Sequence, residues 1–156
     1  QAEDGILDVE RSRGLGYVYK RPLTGDALIL KYPSQFRPQM ILTTLDGALN
    51  LTLERLESER IESEGILEMV QNLRMAAKRM NPSAVYTPVD WIDADIPVAC
   101  FESWVDLFDG EIWQMTFGAS IKGMLLMGGF CAPKEQSQPW SVLARQMVET
   151  LHILPD

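Results

Sequence analysis

Residues 96–117 read IPVACFESWVDLFDGEIWQMTF, and this stretch decides how the chain is built. Two runs rich in β-branched and aromatic residues flank Asp109-Gly110. Asp-Gly is among the strongest short hairpin signals, because a type I′ turn needs positive φ at both central residues. The spacing predicts a strand over 96–108, a two-residue turn, and a returning strand over 111–117. That turn sets Phe108 against Glu111, Asp106 against Trp113, Trp104 against Met115 and Glu102 against Phe117. One sheet face then carries Trp104, Trp113, Met115 and Phe117, with Glu102 and Asp106 between them. The other carries Phe101, Val105, Leu107 and Ile112, with Ser103, Gln114 and Thr116. Neither face is purely polar, so both are expected to be covered at least in part.

The pattern extends in both directions. Toward the C-terminus, Lys122-Gly123 predicts another turn, into a strand over 124–131, and 133–138 reads as a loop. Pro139 opens a terminal helix, since proline is tolerated in the first helical turn. Trp140, Leu143, Met147 and Leu151, with Ala144 and Val148 beside them, form its apolar stripe. Toward the N-terminus, Asp46-Gly47 separates runs at 40–44 and 48–56. Leu49, Leu51 and Leu53 alternate with Asn50, Thr52 and Glu54, the period of a strand with one buried face. Ser63 reads as the N-cap of a helix carrying Ile66, Val70, Leu73, Ala77 and Met80 on one stripe. Its acids (Glu62, Glu64, Glu68) sit near the start and its bases (Arg74, Lys78, Arg79) near the end, as the helix dipole favours. Asn81-Pro82 stops it. Residues 83–95 read as irregular. Short β-type runs occur at 17–19 and 27–32, and residues 1–15 read as a loosely ordered arm ahead of a single domain over 16–156. The expected class is α+β, an antiparallel β-sheet packed between two main helices as an α/β/α layered sandwich.

The 156 residues suit one domain, which buries roughly 70% of its unfolded surface without help from a metal or disulfide. No apolar run approaches the ~20 residues of a membrane-spanning helix. Fourteen Lys and Arg stand against 22 Asp and Glu, for a formal charge of −8. That field repels phosphate backbones, so nucleic acid is excluded as a partner and a basic protein is favoured. The start, Gln1-Ala2-Glu3-Asp4, reads as a trimmed end, either left by a signal peptidase or set by expression.

Catalytic motifs are absent. One histidine, His152, lies in the last turn of the terminal helix and reads as a surface helix end. Two cysteines and one histidine leave too few ligands for a structural zinc site. The strand register separates Cys100 from Cys131 by roughly 20 Å, far beyond disulfide reach. No metal or cofactor is expected. Gly14 and Gly16 lack the strand-turn-helix setting of a phosphate loop. Asn50-Leu51-Thr52 is a sequon inside a predicted strand and reads as chance. Asp90, Asp93 and Asp95 surround Trp91 without the spacing of a calcium loop, and read as a solvated acidic loop whose indole suits a protein contact. Glu102 and Asp106 are the second candidates, since a carboxylate in a dry core is costly unless paired. They should sit at an edge or line an opening beside Trp104. Four residues apart on a strand, they are separated by about 13 Å, too far for a glycosidase pair. The candidate binding residues are therefore Trp91, Asp93, Asp95, Glu102, Trp104 and Asp106.

The order of elements resembles the PsbP-like fold, which includes the Ran-binding nuclear import factor and small bacterial envelope proteins. The resemblance runs through Ala27-Leu28-Ile29-Leu30-Lys31-Tyr32-Pro33-Ser34-Gln35-Phe36, then Leu49, Leu51 and Leu53 and the long helix, the meander over 97–131 and the terminal helix. It implies a binding or assembly protein and an extracytoplasmic setting in the bacterial envelope. No functional residue of that family maps onto this chain. The expected function is a non-enzymatic protein-interaction domain. The alternative is a small acidic chaperone or immunity protein that masks a basic partner.

Overall fold

The computed structural model describes residues 39–44, 48–107 and 110–153. Their strands are β1 (Met40–Thr43), β2 (Asn50–Arg60), β3 (Val85–Tyr86), β4 (Asp90–Ile92), β5 (Val98–Leu107), β6 (Gly110–Ile121) and β7 (Met124–Pro133). The helices are α1 (Ser63–Met80) and α2 (Ser137–Glu149), the latter preceded by a 3₁₀ turn at Lys134–Gln136. The N-terminal arm, the strand candidates at 17–19 and 27–32, Gly14, Gly16 and the Asp46-Gly47 turn lie outside the described residues.

β5 and β6 form the predicted hairpin, but in a different register. Leu107 pairs with Gly110, so Trp104 faces Trp113, Glu102 faces Met115 and Asp106 faces Glu111. Leu107 and Gly110 are the last described pair before the turn, with Gly110 at φ 144°, and the Phe108 side of the expected Phe108–Glu111 pair lies outside the described residues. The slip is by two positions, and side chains alternate with period two, so every residue keeps its predicted face. Burial pattern alone therefore cannot distinguish the two registers. The second turn is as expected. Ile121 pairs with Met124, and Lys122 and Gly123 both take positive φ, 51° and 75°, as a type I′ turn demands.

The sheet runs in the order β1-β2-β7-β6-β5-β3, with β4 also pairing with β5. All pairings are antiparallel. The stretch 83–95, read as irregular, in fact supplies two short edge strands, β3 and β4, along one side of β5. Three and two residues carry too little periodicity to be read in sequence.

The expected layered sandwich is corrected. Among the described residues the molecule is a mostly antiparallel sheet with one helix on part of each face, not a sheet packed between two full helical layers. Strands of 11, 10, 12 and 10 residues dominate helices of 18 and 13. α1 rests on β5 and β6, and α2 on β6 and β7. Ile66 and Val70 of α1 join Ala99, Phe101 and Leu125 on one face. Ala144 and Val148 of α2 join Trp113, Met115, Phe117 and Phe130 on the other. Each of the Val, Leu, Ile, Phe and Met side chains among them contributes about 1.5–3 kcal/mol by burial. Gly118 lets α1 close on β6, for a Cβ there would lie 2.9 Å from Met69 Cε.

Two helix details also differ from expectation. Glu62, not Ser63, occupies the N-cap of α1, without a side-chain cap, and Met80 is 87% exposed beyond the buried stripe. In α2 the buried centre is Ala144 and Val148, while Leu143 is only half-buried. Cys100 and Cys131 are not bridged. Cys100 faces Phe117 and Cys131 faces Gln114, on the two sides of β6. They are closer than expected, about 10 Å along the strand and two strand spacings across it, with side chains on opposite faces.

The packing of Phe117 yields a direct test. Gly128 lies opposite Phe117, and a Cβ there would meet Phe117 Cζ at 2.1 Å. The ring is buried and cannot retreat. Gly128→Ala should cost about 1–3 kcal/mol by overpacking, measured by urea denaturation. Gly129→Ala, whose Cβ would meet Thr52 Oγ1 at an ordinary 3.5 Å, should leave the midpoint nearly unchanged.

Candidate functional site

The six candidate residues fall into three separate places. Glu102 is half-buried beneath α2, where its two oxygens are both used. Trp113 Nε1–H donates to Oε2 at 2.6 Å, and Ser141 Oγ–H donates to Oε1 at 3.0 Å. The backbone N–H of Glu102 donates to Thr87 Oγ1 at 2.9 Å. This carboxylate does not line an opening. It ties a fully buried indole to the terminal helix, which meets the cost of burying a charge with two hydrogen bonds. Trp104 is half-buried against the same core, so the aromatic face is packing rather than a cleft.

Asp106 lies at the turn end of the hairpin and is exposed. Its register partner is Glu111, whose carboxylate holds Lys134 Nζ at 2.5 Å. Bonding to Lys134 and then to Asp106 holds the Glu111 carboxyl below its usual range. Hydrogen bonding to Glu111 and the repulsion of its charge raise Asp106. The two carboxyls thus shift in opposite directions. Glu102 and Asp106 point to different surroundings and make no common acid–base pair.

Trp91, Asp93 and Asp95 do come together, Trp91 on the short strand β4 and both aspartates in the segment that follows it. β4 pairs with β5 through Asp90↔Cys100, Trp91↔Ala99 and Ile92↔Val98. Cross-strand partners share a face. Asp90 and Ile92 therefore turn toward the α2 side, and Trp91 toward the α1 side at the margin of the sheet. The Trp91 indole is 38% exposed. On the α2 side, Asp90 accepts an ion pair from Arg145 at 2.8 Å. Beside that pair opens a cleft of about 490 Å³, lined by Asp93, Asp95, Arg145 and Glu149 and rimmed by Trp91. Arg145 and Glu149 were not singled out in the sequence, because only the packing of α2 across the sheet brings 90–95 beside 145–149. The i, i+4 spacing of Arg145 and Glu149 was the one legible hint.

The remaining titratable groups are structural. Burial pushes the Cys100 thiol up to about 11, with Arg145 acting in the opposite direction. The thiolate is the reactive form, so this cysteine is inert at neutral pH. His152 is exposed, its Nδ1 within 3.0 Å of the Thr150 carbonyl oxygen. Among the described residues, no group of three or more His, Cys, Asp or Glu is placed to hold a metal ion. No helix among them is long and apolar enough to cross a membrane.

No known family matches the chain, and no characterised protein matches it in sequence. The fold is shared with solved structures. One is a Pseudomonas aeruginosa protein of unknown function, PA94, described as a candidate regulator. It superposes with a TM-score of 0.54 at 9% identity, over 69% of this chain and 74% of that one. At that identity the likeness concerns the fold alone.

The Glu102 tie predicts an order of stabilities. Glu102→Ala leaves the buried Trp113 N–H without an acceptor and should cost about 2–3 kcal/mol, the scale of a lost bond to a charged group. Ser141→Ala removes one bond to a carboxylate that keeps the indole, and should cost about 1 kcal/mol. Thermal denaturation of both variants checks the order. A second expectation concerns Cys100. A thiol reagent should leave it unmodified in the native chain at neutral pH and modify it in denaturant, as mass spectrometry of the labelled peptides would show.

Proposed function

We propose that this chain is a non-catalytic protein-interaction domain that meets its partner through the β4 margin. The observation that carries the reading is the exposed Trp91 indole on a short edge strand. Indoles left in water are rare, and tryptophan is enriched among residues that anchor protein contacts. Candidate acids elsewhere are committed to other work. Glu102 holds Trp113 and Ser141, and Asp106 pairs with Glu111 at the far end of the hairpin. Neither is among the residues that line the cleft beside α2.

The test is capture from a lysate of the source organism with the full chain as bait, compared with Trp91→Ala. One stoichiometric partner, retained by the native chain and weakened at least about tenfold by Trp91→Ala, is the expected outcome, since an interface anchor carries 2 kcal/mol or more. The variant should melt with the native chain because the indole lies outside both cores. Equal capture by both chains would place the contact elsewhere.

A further inference from the structure

The segment after β4 and the last turns of α2 enclose a cleft whose uncompensated charge is all of one sign. The cleft is about 490 Å³, and Trp91, Asp93, Asp95, Arg145 and Glu149 line it. Arg145 is already engaged, with Asp90 at 2.8 Å. Asp93, Asp95 and Glu149 are exposed and make no ion pair among the described residues. On a chain of formal charge −8, three uncompensated carboxylates around one concavity draw a cation. They do not converge on a metal ion, since among the described residues no group of three such side chains is placed to hold one. A cation that reaches more than one of them is therefore extended rather than a point charge. At the rim Trp91, 38% exposed, adds an apolar wall to these charges.

An arginine side chain meets both demands. Its aliphatic stem packs along apolar surface while its charged head reaches polar groups. Its planar guanidinium carries a rigid fork of donors that matches carboxylate geometry, which the ammonium of lysine does not. Arg145 against Asp90 shows a guanidinium already seated in the wall of this cleft. We propose that the cleft between β4 and α2 receives an arginine side chain of the partner protein, with its stem on Trp91 and its guanidinium among Asp93, Asp95 and Glu149. A side chain is favoured over free arginine, because the free amino acid would bring a further carboxylate into a cleft that already holds three uncompensated ones. This inference rests on the reading of the chain as a protein-interaction domain and names the group that the partner presents.

The test uses the full chain and three capped peptides of glycine and serine that carry one central arginine, citrulline or lysine. Citrulline keeps the shape of arginine without its charge, and lysine keeps the charge without the fork. Titration is followed by the indole N–H resonance of Trp91, assigned through Trp91→Phe, and by the backbone amides of 93–95. The arginine peptide should bind at least about tenfold more tightly than the citrulline peptide, and roughly threefold more tightly than the lysine peptide. Trp91→Ala should weaken it roughly threefold to fivefold, the scale of an exposed contact between a cation and a ring. The double change Asp93→Asn with Asp95→Asn should remove most of the preference for arginine over citrulline. Glu64→Gln with Glu68→Gln makes the same change of charge at exposed positions of α1 and should leave that preference in place. Equal binding of the arginine and citrulline peptides would overturn the proposal. So would equal losses in the two double variants, which would reduce the effect to net charge. Lysine binding as well as arginine removes the guanidinium, and free arginine binding more tightly than the capped peptide removes the partner protein. Its fate is separable from that of the broader reading. A cellular partner lost with Trp91→Ala, alongside no preference for arginine, sinks the arginine site and keeps the interaction domain. A preference for arginine without any Trp91-dependent cellular partner keeps the cleft chemistry and sinks the domain reading.

Discussion

β6 is paired on both sides and covered on both faces, and this leaves almost no freedom in the remainder of the structure. β5 lies along one side of it and β7 along the other. α1 presses on one face at Gly118, and α2 on the other near Trp113 and Phe117. The two faces of β6 differ in chemistry, and Gln114, Thr116 and Ser120 are only half-buried on the α1 side. Trp113, Met115, Phe117 and Ala119 go to the α2 side, while Gly118 opens the α1 side to a helix. Once β6 is fixed, the turns at both of its ends fix β5 and β7, and β7 in turn receives β2.

A buried carboxylate is a natural consequence of this enclosure. Trp113 carries an N–H that cannot reach water, because the residue is fully buried. Glu102 supplies the acceptor from the neighbouring strand, and its second oxygen receives Ser141 from the helix above. One side chain therefore satisfies an indole and sets the position of α2. The position of α2 then brings Arg145 and Glu149 to the margin of β4. The candidate surface is thus a product of core packing, linked through a residue that looks functional in sequence and acts structurally.

Much of the fold was legible because its signals are local. The Leu49, Leu51, Leu53 alternation, the Ile66–Val70 stripe and the Lys122-Gly123 turn each depend on residues within a few positions of one another. The register of the β5–β6 hairpin was not legible, since a slip of two conserves every face. The layered sandwich was mistaken for a related reason. Two amphipathic helices reveal that each has a partner face, and they say nothing about how many strands extend past them. Of the site, Trp91, Asp93 and Asp95 could be read as neighbours because they are neighbours in the chain. Glu102 was expected at an edge or an opening, because the partners that hold it, Trp113 and Ser141, are set by pairing and helix placement.

The sequence by itself determined the longer elements and the two faces of their strands, the negative charge and the lack of a catalytic motif. These follow from period, turn chemistry and composition, which act over short distances or sum over the whole chain. Only the tertiary structure decided which strand edge is exposed, where the lone indole lies and which charges meet it. Those facts depend on residues some fifty positions apart, 90–95 and 145–149, brought together by the docking of α2 on β6 and β7. Contact between distant segments is chosen by the free energy of the whole packed core, and no local pattern encodes it.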